Sequence, residues 1–167
     1  MPNTQAIGVA YADPEFQSVT VTGAVSANSV TVTGAVSANS VTVTGEATAA
    51  DIFASDELGY TSAAQGAVTQ LTSKSTGVTL NKSMGRITMN NAALAGNTAA
   101  IFTLTNSTIS ALDAIIVNVS GGATAGAYTT YISSMTAGSA DVALRNLTAG
   151  SLSEAVIINF SIIHGAA

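Results

Sequence analysis

The chain has few side chains able to do chemistry, and their spacing limits what that chemistry would be. His164 is the only histidine and there is no cysteine. A catalytic triad would need a nucleophile and an acid aimed at that imidazole, and no nucleophile-elbow motif occurs. His164 is therefore expected in a surface or intersubunit hydrogen bond. Asp113, Asp141 and Glu154 would have to supply any carboxylate pair for glycoside hydrolysis. Each borders an expected turn or strand start, where an acidic side chain is ordinarily solvated or capping. No Asp-rich calcium loop and no cluster of His or Glu occurs, so neither a metal nor a cofactor is expected. No catalytic residue is assigned, and the chain is not read as an enzyme.

The remaining polar motifs are ordinary for this composition. Asn106, Asn118, Asn146 and Asn159 each open an Asn-x-Ser/Thr triplet, but such triplets arise readily in a chain so rich in these residues. Lys74, Lys82, Arg86 and Arg145 are too few for a binding patch and read as solubilising or salt-bridging groups. Tyr11 and Phe16 differ, because they lie on either side of Pro14 in a short acidic segment. They read either as a frayed terminus or as aromatic anchors that dock on a partner surface.

The elements that must carry these residues follow from composition and repetition. Of 167 residues only 8% are charged, while 47% are hydrophobic; soluble domains usually carry about 25% charged residues. Ser and Thr form about a quarter of the chain and Ala nearly a fifth, so small side chains must cover the outside, as in tightly packed β assemblies. The net charge of −5 argues against a phosphate-backbone binder, whose affinity comes from clustered Lys and Arg. No nucleic-acid partner is expected. The N-terminal MPNTQAIGVAYADPEF does not read as a secretory signal, and no run approaches the ~18 apolar residues of a membrane span, so no membrane partner is expected. Charge is uneven: residues 1–58 hold six carboxylates and no cation, whereas residues 59–167 hold the four cations against three carboxylates. Two regions with different roles explain that asymmetry.

An internal repeat decides the organisation of the first region. SVTVTGAVSAN at 18–28 recurs identically at 29–39, and SVTVTGEATAA at 40–50 is a degenerate third copy. Alternation of Val with Thr places the valines on one face and the hydroxyls on the other. Gly23, Gly34 and Gly45 end the strand, and Asn28 and Asn39 turn the chain again. The unit reads strand, turn, short strand, turn. A helical supercoil fails, because Val and Thr are β-branched, Gly falls in every unit and the valines are two apart. One chain cannot bury that row of valines or pair its strand edges. Three chains wound about a common axis would do both, with Val19, Val21, Val30, Val32, Val41 and Val43 filling the axis. Residues 51–58 read as a neck, and the stretch 46–58 as either a short helix or an irregular connection. Within the Ala-rich acidic stretch 46–58, Ile52, Phe53 and Leu58 are its expected buried contacts.

From 59 to 167 the chain reads as eight short strands: AVTQLT, GVTL, GRITMN, AAIFTLTN, DAIIVNVS, AYTTYISSM, DVALRNLT and AVIINFSII. Turn signals at Gly77, Asn90-Asn91, Gly121-Gly122 and Gly138 separate them. AALAGN at 92–97 has the look of one helical turn. This pattern fits a β-sandwich or jelly-roll-like knob. Its expected core is Val68, Leu71, Leu80, Ile87, Met89, Ile101, Phe102, Leu104, Ile115, Val117, Tyr128, Tyr131, Val142, Leu144, Leu147, Val156, Ile158, Phe160 and Ile162. The fold class is all-β: an anchor segment at 1–17, an interwound trimeric shaft of β-spiral or β-prism type at 18–50, the neck, and the knob.

The phrases VTQLTSKSTGVTLN, FTLTNS and SLSEAVIINF resemble a module of tailed-phage virion proteins, over about residues 59–167. The repeat at 18–50 is similar in texture to the threaded β shafts of phage fibres and spikes. The resemblance implies a homotrimeric virion appendage with a shaft and a β-rich knob, and it supplies no catalytic residues. A segment of about 17 residues before the shaft suits a minimal anchor on the capsid, with Met1 taken as the native start. The expected function is capsid decoration, cement or head fibre, located on the virion surface, with the major capsid protein or another virion protein as partner. The alternative is a receptor-binding tail fibre or spike tip that contacts the host surface.

Overall fold

A computed structural model describes residues 22–165 of the chain. It is all-β, with no α-helix among the described residues. The chain divides into two compact units, with the boundary between Ile52 and Phe53. Tyr11, Phe16, Val19 and Val21 lie outside the described residues.

In the first unit the backbone repeats with the sequence. Bends fall at Thr22-Gly23, Asn28, Thr33-Gly34, Asn39, Thr44-Gly45 and Ala50, so Gly and Asn turn the chain where their conformational freedom predicts. Between these bends no strand is formed among the described residues. The strand–turn–strand reading is corrected to that extent, and the reason is physical: a strand exists only when its backbone groups meet a second strand, and one copy of this repeat folds no other copy beside itself. The stretch 46–58 is irregular, with neither helix nor strand. Ile52, Phe53 and Leu58, expected buried, are exposed, Phe53 to 91%, since no described residue covers them.

The second unit holds a short 3-10 turn, Ser62–Ala64, and eight strands: β1 Gln65–Thr69, β2 Val78–Thr79, β3 Met84–Thr88, β4 Ala99–Thr105, β5 Ala114–Gly121, β6 Tyr128–Thr136, β7 Ser139–Asn146 and β8 Ile157–Ile163. They form two four-stranded sheets, in the orders β1-β3-β8-β5 and β2-β4-β7-β6. Both sheets are mixed: β1 runs parallel to β3 and β2 parallel to β4, while the other pairs are antiparallel. The parallel pairs β1–β3 and β2–β4 depart from the wholly antiparallel pairing of a jelly roll.

One core joins the sheets. Ile87, Ile158, Phe160 and Ile162 from the first sheet cluster with Val78, Phe102, Leu104, Val142 and Leu144 from the second. The alternation in β4, exposed at odd and buried at even positions from Ala99 to Thr105, comes directly from the two-residue period of a strand. Gly85 shows how closely the layers pack: a Cβ there would lie 2.6 Å from a Leu80 methyl and 2.7 Å from the Phe160 ring. Gly138, at φ 83°, supplies the left-handed turn between β6 and β7. The 92–97 segment forms no helix; Leu94 instead makes an antiparallel bridge to Leu152.

Four expected core residues point outward. Leu71, Ile101, Tyr131 and Leu147 are exposed. Ile101 and Tyr131 occupy the outer phase of β4 and β6, and Leu71 and Leu147 lie beyond the ends of β1 and β7. Leu94, Ile109 and Val78, not expected there, help fill the core.

Candidate assembly interface

The shaft valines present a regular apolar row in the single chain. Val30 and Val41 are each 72% exposed, and Val32 and Val43 are 53% and 52% exposed. Equivalent positions agree that closely because the second and third copies bend at equivalent residues. Among the described residues, no backbone–backbone hydrogen bond involves 22–59. One short side-chain contact occurs there, Thr48 Oγ1 donating to Glu46 Oε1 at 3.2 Å. Regularly spaced exposed valines, on backbone unpaired among the described residues, are chemically suited to pairing with further chain segments.

Of the residues weighed for catalysis, His164 and Asp113 meet each other, whereas Asp141 and Glu154 each lie in a hydrogen-bonded setting of their own. Asp113 accepts from the backbone N–H of Ser110 at 2.8 Å, from Ser110 Oγ at 2.7 Å and from the Gly165 N–H at 3.1 Å. His164 Nδ1 lies 3.0 Å from its Oδ2. These donors, the Ser110 bonds first, hold the Asp113 carboxyl well below the usual carboxylate range against the opposing effect of burial. Ser110 bonds to the acid and not to the imidazole, so the trio fastens residues 164–165 to the β4–β5 connection. Asp141 accepts from Thr103 Oγ1 at 2.8 Å on the outer face of the second sheet. Glu154 accepts from Thr124 Oγ1 at 2.7 Å, which is the main influence holding its carboxyl below its ordinary range.

Lys74 differs from its sequence reading as a solubilising or salt-bridging surface group, because it is buried. Its Nζ donates to Asn90 O at 2.7 Å and to Glu154 O at 2.5 Å. Burial pushes its pKa down, and the Glu154 carboxylate pulls it partly back. The Tyr128 phenol is pushed up to about 12, by burial first and then by Glu154 beside it. Two of the Asn-x-Ser/Thr asparagines, Asn106 and Asn146, are completely buried. Each Oδ1 accepts from the backbone N–H and the hydroxyl of the threonine two residues on. Sequence reasoning treated them as chance triplets, whereas the Asn-x-Thr spacing was the signal of an Asx turn.

Among the described residues no group of three His, Cys, Asp or Glu side chains is placed to hold a metal ion. Nor, among these residues, is any helix long and apolar enough to cross a membrane. No protein-family model, curated protein or solved structure matches the chain.

Proposed function

We propose that the chain is the subunit of a homotrimeric virion appendage whose shaft, residues 18–50, is completed only by three chains. The observation that carries this reading is the exposed valine row, repeated at eleven-residue spacing on backbone that makes no backbone–backbone hydrogen bond among the described residues. In the trimer, Val19, Val21, Val30, Val32, Val41 and Val43 bury along the axis and neighbouring chains satisfy the peptide groups. The segment 1–17, with Tyr11 and Phe16, grips the major capsid protein or another virion protein, and threefold avidity multiplies a weak peptide contact. The knob projects outward, and the protein acts as a capsid decoration, cement or head-fibre protein. The virion and capsid assignments draw on the resemblance of the knob and shaft to phage appendages.

A receptor-binding tail fibre or spike tip is the second reading. Carbohydrate platforms usually need exposed aromatic faces, and the knob provides few. Of its three tyrosines, Tyr60 donates its hydroxyl to Ile162 O and Tyr128 packs against the core. Tyr131 alone is exposed. This weighs against a glycan receptor and leaves a protein receptor as the form the second reading would take.

The deciding experiment measures mass in solution, then adds purified protein to particles lacking it and locates it by electron microscopy. A trimer that binds the head, and loses binding on deletion of residues 1–17, supports the proposal. Val32→Asp with Val43→Asp is expected to abolish the trimer while the melting transition of the knob persists. A folded monomer overturns the trimer, and density confined to the tail transfers the role to receptor binding.

A further inference from the structure

The outer face of the second sheet has a self-complementary pattern. Ile101, Ala143 and Tyr131 form one cross-strand row over β4, β7 and β6. On one side lies the row Ala99, Arg145, Thr129, and on the other Thr103, Asp141, Ser134. Alternation along β7 fixes the direction of these side chains, because Ala140, Val142 and Leu144 are buried in the core. Ala143 is fully covered, whereas Ile101 and Tyr131 on either side remain 48% and 43% exposed. The face is thus a low centre between two apolar shoulders, with one cation and one anion placed symmetrically about it along the strand.

We infer that this face pairs with the same face of a second copy of the chain, about a twofold axis lying in the interface and crossing β7 at Ala143. Such an axis reverses the strand direction and sets Arg145 of each copy over Asp141 of the other, twice per interface. It also brings Tyr131 against Tyr131 and Ile101 against Ile101, which is the isologous arrangement of a twofold contact. Asp141 and Arg145 are four residues apart, roughly 13 Å at strand rise, so both pairs form without crowding the apolar row. The first sheet lacks this property. Arg86 is the sole charged residue on its outer face, and two such faces would set like charges together. The paired patch spans only three strands, below the ~1,000 Å² of a stable interface. The contact is therefore weak and joins knobs held close by other means. This goes beyond the trimer, since the occupant belongs to a neighbouring appendage.

The test uses the full chain in sedimentation experiments over a range of concentrations at low salt. The assembly, trimer or monomer, should double in mass as concentration rises. Asp141→Arg or Arg145→Asp alone should weaken doubling tenfold or more, and the two together should restore it. Thermal melts identify any variant that fails to fold, and Asp141→Asn with Arg145→Gln provide milder versions. The chain has no cysteine, so Tyr131→Cys with a short bis-maleimide should give a chain dimer, and Ala67→Cys on the first sheet should not. Absence of doubling overturns the inference, as does failure of the folded double swap to restore it. Loss with Asp141→Arg but not with Arg145→Asp would also overturn it, indicating contact with Arg86 of the other sheet. A monomer that still doubles would sink the trimeric shaft and leave this pairing standing.

Discussion

Asn106 and Asn146 do equivalent work at the ends of β4 and β7. Beyond their Asx turns, Asn106 Nδ2 donates to Lys82 O at 2.8 Å, and Asn146 Nδ2 donates to Leu94 O and Gly150 O at 3.0 and 2.8 Å. Replacing Asn106 with Ala leaves Lys82 O and the Thr108 N–H without these partners, and replacing Asn146 takes one donor from each of Leu94 O and Gly150 O and the acceptor from the Thr148 N–H; either change should cost about 2–4 kcal/mol in denaturant titrations. Asp113 carries a pH dependence. Its folded carboxyl lies below its unfolded value, so its contribution is complete above the ordinary carboxylate range and is lost as pH falls below about 4. Asp113→Asn should lower the melting temperature at neutral pH and flatten its fall in acid, as thermal melts across pH would show. Lys74 gives a pH dependence of the same sign in an alkaline window, there as a burial penalty relieved on deprotonation. Its folded pKa is lowered, so the unfolded state binds more protons in the window from that value up to about 10.5, and stability rises with pH there. Lys74→Met should remove this alkaline rise, while leaving Asn90 O and Glu154 O short of a donor.

At the scale of elements, the period of two and the turn residues located the strands but left their pairing undetermined. Each expected strand segment from 59 onward overlaps one observed strand. β1 ends early because Gln70 turns inward to donate to Lys74 O and Thr76 O, which carries Leu71 out to solvent. In AAIFTLT both phases begin apolar, and only the packing of Phe102 and Leu104 assigns Ile101 to the outside. Neither parallel pair was legible, since β1–β3 and β2–β4 depend on contacts remote from the local pattern. The surface pattern around Ala143 was hidden for the same reason, as it needs the register of three strands. Close layer packing makes a further prediction at this scale. Gly85→Ala should destabilise the knob by about 1–3 kcal/mol through its clash with Leu80 and Phe160. Gly34→Ala, with nothing within 4 Å, should leave the knob's unfolding transition unchanged.

At the scale of the whole molecule, the two proposed associations oppose each other in their response to salt. Between residues 22 and 73 the chain carries Glu46, Asp51, Asp56 and Glu57 and no Lys or Arg. Winding three chains together gathers these carboxylates threefold, without a cation from the same segment to offset them. Their repulsion reaches about 30 Å at 0.01 M ionic strength and about 10 Å at 0.1 M. Burial of the valines is not screened, so added salt should tighten the trimer. Knob pairing instead relies on Arg145 meeting Asp141, which added salt weakens. A sedimentation series from about 0.01 to 0.3 M salt should therefore show the trimer's dissociation concentration falling while that for mass doubling rises. Movement of both in the same direction would mean that one process, not two, governs assembly. If the opposite trends hold, ionic strength alone can yield discrete trimers, free of knob pairing, for the capsid-binding experiment.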